Sequence, residues 1–126
     1  MKVNTIATLL SLGDNVLDHI DTLALTWAEL HEWQPSDYGE KLKDLSTGDV
    51  AKLTRSLVLL DTQRQYASGS VAPAIWFFQV LERRNYPDLL QLAEWIDEVN
   101  DNPYLPFGTQ RYRSEYFEKL RRSAES

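Results

Sequence analysis

No cysteine occurs in the 126 residues. Disulfide frameworks, thiol catalysis, thiolate zinc sites and iron–sulfur clusters are excluded together. Histidine occurs only at His19 and His31, and neither stands in a Glu-x-x-His, His-x-x-x-His or His-Glu-x-x-His spacing. No metal centre of the helical-bundle kind is therefore expected. The five glycines form no phosphate cradle, dinucleotide fingerprint or Gly-x-Ser-x-Gly elbow, so neither a cofactor nor a catalytic set is expected. No window holds the roughly 18 apolar residues that a membrane span needs. The leading segment Met1–Gly13 has only Lys2 as a basic lead, and Asn4, Thr5, Thr8 and Ser11 interrupt its apolar run. It reads as an amphipathic helix ended by Gly13 rather than an export signal, and a cytoplasmic location is expected.

What is present is an ordinary globular composition, 43% apolar and 25% charged. A chain of this length is expected to form one domain over residues 1–126, with a folded surface of about 7,000 Å². The apolar period is helical throughout, and no stretch alternates as a half-buried strand would. The expected architecture is all-α, a bundle of five or six helices, with two stacked helical hairpins as one arrangement.

The longest periodic segment is Asn15–Trp33, ended by Pro35. Along it Val16, Leu17, Ile20, Leu23, Ala24, Trp27 and Leu30 share one side. On an ideal wheel Asp14, Asp18, Asp21 and Glu32 fall within about 40° of one another, with Glu29 just beyond. Residues 34–45 read as a connector with a helical turn or two. Ser46-Thr47-Gly48-Asp49 is a capping-box-like entry to a helix carrying Val50, Leu53, Leu57 and Leu60. After a Ser68-Gly69-Ser70 turn, Ala74–Leu81 is apolar all round, as a central helix would be. Tyr86-Pro87-Asp88 opens a helix through Val99. Asn102–Gly108 is a proline-stiffened loop, and Thr109 caps a last helix carrying Tyr112, Tyr116, Phe117 and Leu120.

Two side chains stand out on apolar faces. His31 falls near Trp27 and Ala24, as a core imidazole bonded to a carbonyl or as a pocket base. Asp61 follows Leu57 and Leu60, where a carboxylate needs a partner, and Arg64 one turn later supplies a candidate. With Trp76, these residues form a candidate ligand pocket: His31, Asp61, Arg64 and Trp76. In the 102–108 loop, Tyr104 and Phe107 are either rings of a strap between helices or an aromatic recognition ridge.

The net charge of −6 is distributed unevenly. Residues 14–49 hold nine acids and two lysines, a net −7, whereas residues 111–126 hold five bases and three acids, a net +2. Such a balance argues against nucleic acid and against an anionic membrane as partners. It favours a non-enzymatic interaction module of inhibitor, immunity or adaptor type, whose acidic face meets a basic protein. The expected contact residues are Asp14, Asp18, Asp21, Glu29 and Glu32, with Tyr38, Tyr104 and Phe107 as aromatic anchors. Fourteen aromatics also leave room for a homodimer. The alternative function is a ligand-binding or catalytic bundle built on the pocket near His31 and Asp61.

Overall fold

A computed structural model describes residues 5–63 and 66–125, without the side chains of Thr5, Asp14, Ile20, Asp21, Leu25, Pro35 and Glu125. The first helix, α1, spans Thr5–Leu12 and buries Leu9. It ends at Gly13, whose φ of +54° is left-handed and suits a residue without Cβ. The Gly13 carbonyl accepts a 2.9 Å bond from Ser56 Oγ, which ties the end of α1 to a later helix.

The segment expected as one helix, Asn15–Trp33, is two. A 3₁₀ stretch covers Gly13–Thr22, with non-helical backbone at His19 (φ −124°, ψ 21°). Leu23 (φ −98°, ψ 2°) separates it from α2, Ala24–Glu32. The cause is local. Asp14, Asn15, Asp18, Asp21 and Thr22 crowd into nine residues, and short polar side chains of this kind compete with the helical ladder. Thr22 Oγ1 does so directly, donating to the His19 carbonyl at 2.9 Å. The inward row survives only in part: Val16, Leu23 and Leu30 are buried and Trp27 is half-buried, whereas Leu17 and Ala24 are exposed. The outward phase does not survive. A 3₁₀ stretch turns at three residues rather than 3.6, so the ideal-wheel alignment of Asp18 with Glu32 is lost.

Trp33 leaves the helix in an extended conformation (ψ 137°). Asp37 Oδ2 then accepts the Gln34 amide at 2.9 Å, and this box opens a 3₁₀ turn over Pro35–Asp37 that leads into α3, Tyr38–Leu42. The connector is thus more ordered than its sequence suggests. Tyr38 and Leu42 are buried, and Arg84 donates to the carbonyls of Leu42 and Leu45 at 2.8 Å each. A cation there satisfies orphan carbonyls where the helix dipole is negative.

Helix α4, Thr47–Asp61, begins as its sequence predicts, with Ser46 Oγ accepting the Asp49 amide at 3.1 Å. It packs against α1, the 3₁₀ stretch, α5 (Pro73–Arg83) and α6 (Leu89–Val99). Val50, Leu53, Leu57 and Leu60 are buried along it, facing Ile75, Phe77, Phe78 and Leu81 of α5 in one core. Each such large side chain contributes about 1.5–3 kcal/mol through burial. Pro73 starts α5, where its missing N–H costs no hydrogen bond. The last helix, α7, spans Arg113–Glu125 and lies on α6 with Phe117 buried. Tyr112 and Tyr116, expected on the same inward side, are exposed.

Seven α-helices and no strand occur among the described residues, an all-α fold. None of these helices is long and apolar enough to cross a membrane. The folded surface is 7468 Å².

Candidate functional site

Three residues singled out from the sequence, His31, Asp61 and Trp76, meet around one turn at residues 66–71. Ser68 joins the first two. His31 Nδ1–H donates to the Trp27 carbonyl at 2.9 Å, one turn back along α2, which fixes the ring and leaves Nε2 facing Ser68 Oγ at 3.0 Å. The Ser68 hydroxyl also reaches the Tyr66 carbonyl at 3.1 Å. A single hydroxyl proton serves either Nε2 or that carbonyl, not both. The Ser68 amide donates to Asp61 Oδ1 at 3.1 Å. In the sequence Ser68 registers only as a turn residue, because its partners lie 37 and 7 residues away.

Asp61 is 4% exposed and fully engaged. Besides Ser68, it accepts from Asn100 Nδ2 at 3.2 Å and Asn102 Nδ2 at 3.3 Å. Arg64, its expected partner, lies outside the described residues. The two asparagines carry the connection onward. Asn100 Nδ2 reaches the Val58 carbonyl at 2.9 Å, and Asn102 Nδ2 reaches the Gly69 carbonyl at 3.0 Å. Asp61 therefore holds the serine backbone and not the imidazole. Serine, histidine and aspartate are neighbours here without the order of a nucleophilic triad, in which the carboxylate orients the histidine.

On the other side of the turn opens a cleft of about 310 Å³ lined by Leu30, His31, Trp33, Gln34, Tyr38, Val71, Pro73 and Trp76. Its rings touch: Trp33 meets Tyr38 edge-on at 5.5 Å, and Tyr38 and Trp76 are tilted at 6.5 Å between centroids. Tyr38, expected as an exposed anchor, is 1% exposed. It forms the floor of the cleft because α3 presses its ring edge-on against Phe77 at 5.4 Å and its hydroxyl donates to the Leu30 carbonyl at 3.3 Å. Burial, aided by the Asp37 charge, pushes the Tyr38 hydroxyl well above the usual tyrosine range. Lys41 Nζ, not itself a lining residue, sits over the Trp33 ring at 5.3 Å.

The acidic residues are spread over two elements instead of one. Asp18 and Glu32 are exposed and Glu29 is half-buried, while the side chains of Asp14 and Asp21 lie outside the described ones. Within 14–49 the described ion pair is Lys43 Nζ with Glu40 Oε1 at 2.6 Å. The second lysine of the segment is the one over Trp33.

The 102–108 loop runs as a strap. Leu105 and Pro106 are buried about a cis peptide bond, and Asn102 Oδ1 accepts the Tyr104 amide at 3.0 Å. Phe107 wedges edge-on between Phe78 at 5.6 Å and Phe117 at 5.1 Å. It is a packing element, not a ridge, and Tyr104 is half-buried beside the core. Gly108 closes the strap at φ +85°, where a Cβ would stand 3.1 Å from Ile75 Cγ2.

The basic tail is largely self-engaged. Arg113 pairs with Asp97 and stacks over Phe117, Arg121 stacks over the same ring, and Arg122 pairs with Glu118. Among the described residues no group of three His, Asp or Glu side chains is placed to hold a metal ion. Family models, curated proteins and solved structures offer no match to this chain.

Proposed function

We propose that this protein is a non-enzymatic interaction module that binds a basic protein partner through the flank formed by residues 14–49. The observation that supports this is an excess of acids that the bases within the segment do not balance. Nine acids face two lysines in this segment. One of those lysines is held by Glu40 and the other by an indole. Asp18 on the 3₁₀ stretch and Glu32 at the end of α2 are exposed to steer an approaching cation-rich surface, with Glu29 beside them. Their field extends over about 8 Å at physiological ionic strength, enough to accelerate encounter and to reject acidic partners. The role belongs to the inhibitor, immunity or adaptor class, acting in the cytoplasm.

The test is affinity capture followed by kinetics on the captured protein. A partner with a basic surface is expected, whose association slows with rising salt. The triple substitution Asp18→Lys, Glu29→Lys and Glu32→Lys should lower the association rate by about tenfold or more, with dissociation changed much less. A captured partner that associates equally fast with this variant overturns the reading.

A further inference from the structure

We infer that the cleft lined by Trp33 and Trp76 over a Tyr38 floor is the seat of one arginine side chain of the basic partner, whose guanidinium stacks against the half-exposed indoles. The inference rests on the reading that the partner is basic, and it names the group that is recognised.

Four observations converge on a planar cation. First, the cleft of about 310 Å³ lies at the lower end of the roughly 300–1,000 Å³ typical of ligand sites, which suits one side chain better than a whole helix. Second, its walls are aromatic and in mutual contact, Trp33 to Tyr38 at 5.5 Å and Tyr38 to Trp76 at 6.5 Å. Ring faces attract cations, and a guanidinium stacks on them while shedding water more readily than an ammonium. Third, the local field is negative. The cleft opens at the C-terminal end of α2, the negative end of its dipole, and Asp37 Oδ2 is bound to the amide of the lining residue Gln34. Fourth, the chain already places a cation on this patch, with Lys41 Nζ at 5.3 Å from the Trp33 centroid. An arginine arriving from the partner meets the same attraction with a better-matched shape. Exposed Glu32, one residue before Trp33, makes the approach to the cleft acidic as well.

The probe is the peptide acetyl-Gly-Arg-Gly-amide, compared with its citrulline counterpart, which has the same shape without charge. Titration is followed on the indole N–H resonances of Trp33 and Trp76, assigned through Trp33→Phe and Trp76→Leu. Saturable shifts of both indoles by the arginine peptide are expected, with citrulline at least tenfold weaker. Trp76→Leu should weaken the arginine peptide about tenfold while the circular dichroism stays unchanged. Lys41→Ala, which removes the resident cation without touching the core, should tighten it at least twofold. A purely structural role for these rings would not produce that gain. Equal binding of the citrulline peptide, shifts confined to Trp27 and Trp95, or no saturable shift at all would overturn the assignment.

A hexalysine peptide separates this failure from failure of the acidic-flank reading. If hexalysine and the arginine peptide both respond to the flank substitutions and neither to Trp76→Leu, the cleft assignment falls and the flank reading stands. If Trp76→Leu abolishes arginine binding and leaves hexalysine binding intact, the cleft assignment is supported.

Discussion

The two sides of the 66–71 turn are built from different kinds of residue to opposite effect. On one side Asp61, Asn100 and Asn102 form a polar knot whose hydrogen bonds are spent on one another and on the carbonyls of Val58 and Gly69. On the other, Trp33 and Trp76 leave ring surface facing an open cleft above a Tyr38 floor. Buried polar groups that find all their partners inside the chain specify a conformation and have nothing left for a ligand. Aromatic surface held half-open by a rigid floor has attraction still to offer. Ser68 sits between the two, its amide in the knot and its hydroxyl against His31 at the cleft.

Breaking the knot should cost most. Asp61→Ala strands three donors around a buried site and should lower unfolding stability by about 3 kcal/mol, read from the chemical denaturation midpoint. A loss below about 1 kcal/mol would mean that the knot is no more structural than the cleft. Gly108→Ala, in the strap that the knot anchors, forces a Cβ into a left-handed position against Ile75, and a loss of about 2 kcal/mol is expected by the same measurement. On the cleft side the balance reverses. Trp76→Leu should cost only about 1 kcal/mol, since the ring is half-buried, yet remove most of the arginine-peptide affinity. Ser68→Ala is the smallest, about 0.5–1 kcal/mol for a hydroxyl whose proton has two competing acceptors.

The floor of the cleft carries a pH signature. The Tyr38 hydroxyl ionises far less readily folded than unfolded, because burial and the Asp37 charge both oppose the phenolate. Its contribution is therefore complete below the ordinary tyrosine pKa of about 10 and declines as the pH rises beyond it, where only the unfolded chain releases the proton. Tyr38→Phe should flatten that alkaline decline in thermal midpoint while costing less than about 1 kcal/mol at neutral pH, since the bond to Leu30 is long at 3.3 Å. An unchanged alkaline limb would place the sensitivity in another group.

Much of the fold was legible because its signals are local. The Ser46 cap, Pro73 at a first helical turn and the inward row of Val50, Leu53, Leu57 and Leu60 all appear where spacing predicts them. The break inside Asn15–Trp33 was also written locally, in the crowding of Asp14, Asn15, Asp18, Asp21 and Thr22, but strong apolar periodicity masked it. The burial of Tyr38 is invisible in the sequence for a different reason. A polar run about an aromatic looks exposed until a distant helix, here α5 with Phe77, covers it. The site was legible only in pieces. His31, Asp61 and Trp76 stood out singly, and their meeting depends on contacts spanning tens of residues, such as His31 with Ser68.

The sequence alone determined that this protein is helical, free of thiol chemistry and acidic along one stretch, because composition, capping and period are properties of neighbouring residues. Only the tertiary structure decided that Tyr38 is buried, that Asp61 is held by asparagines just beyond the end of α6, and that three aromatics line a cleft. Those outcomes turn on which distant groups compete for the same buried space and the same hydrogen bonds, and that competition exists only once the chain has folded.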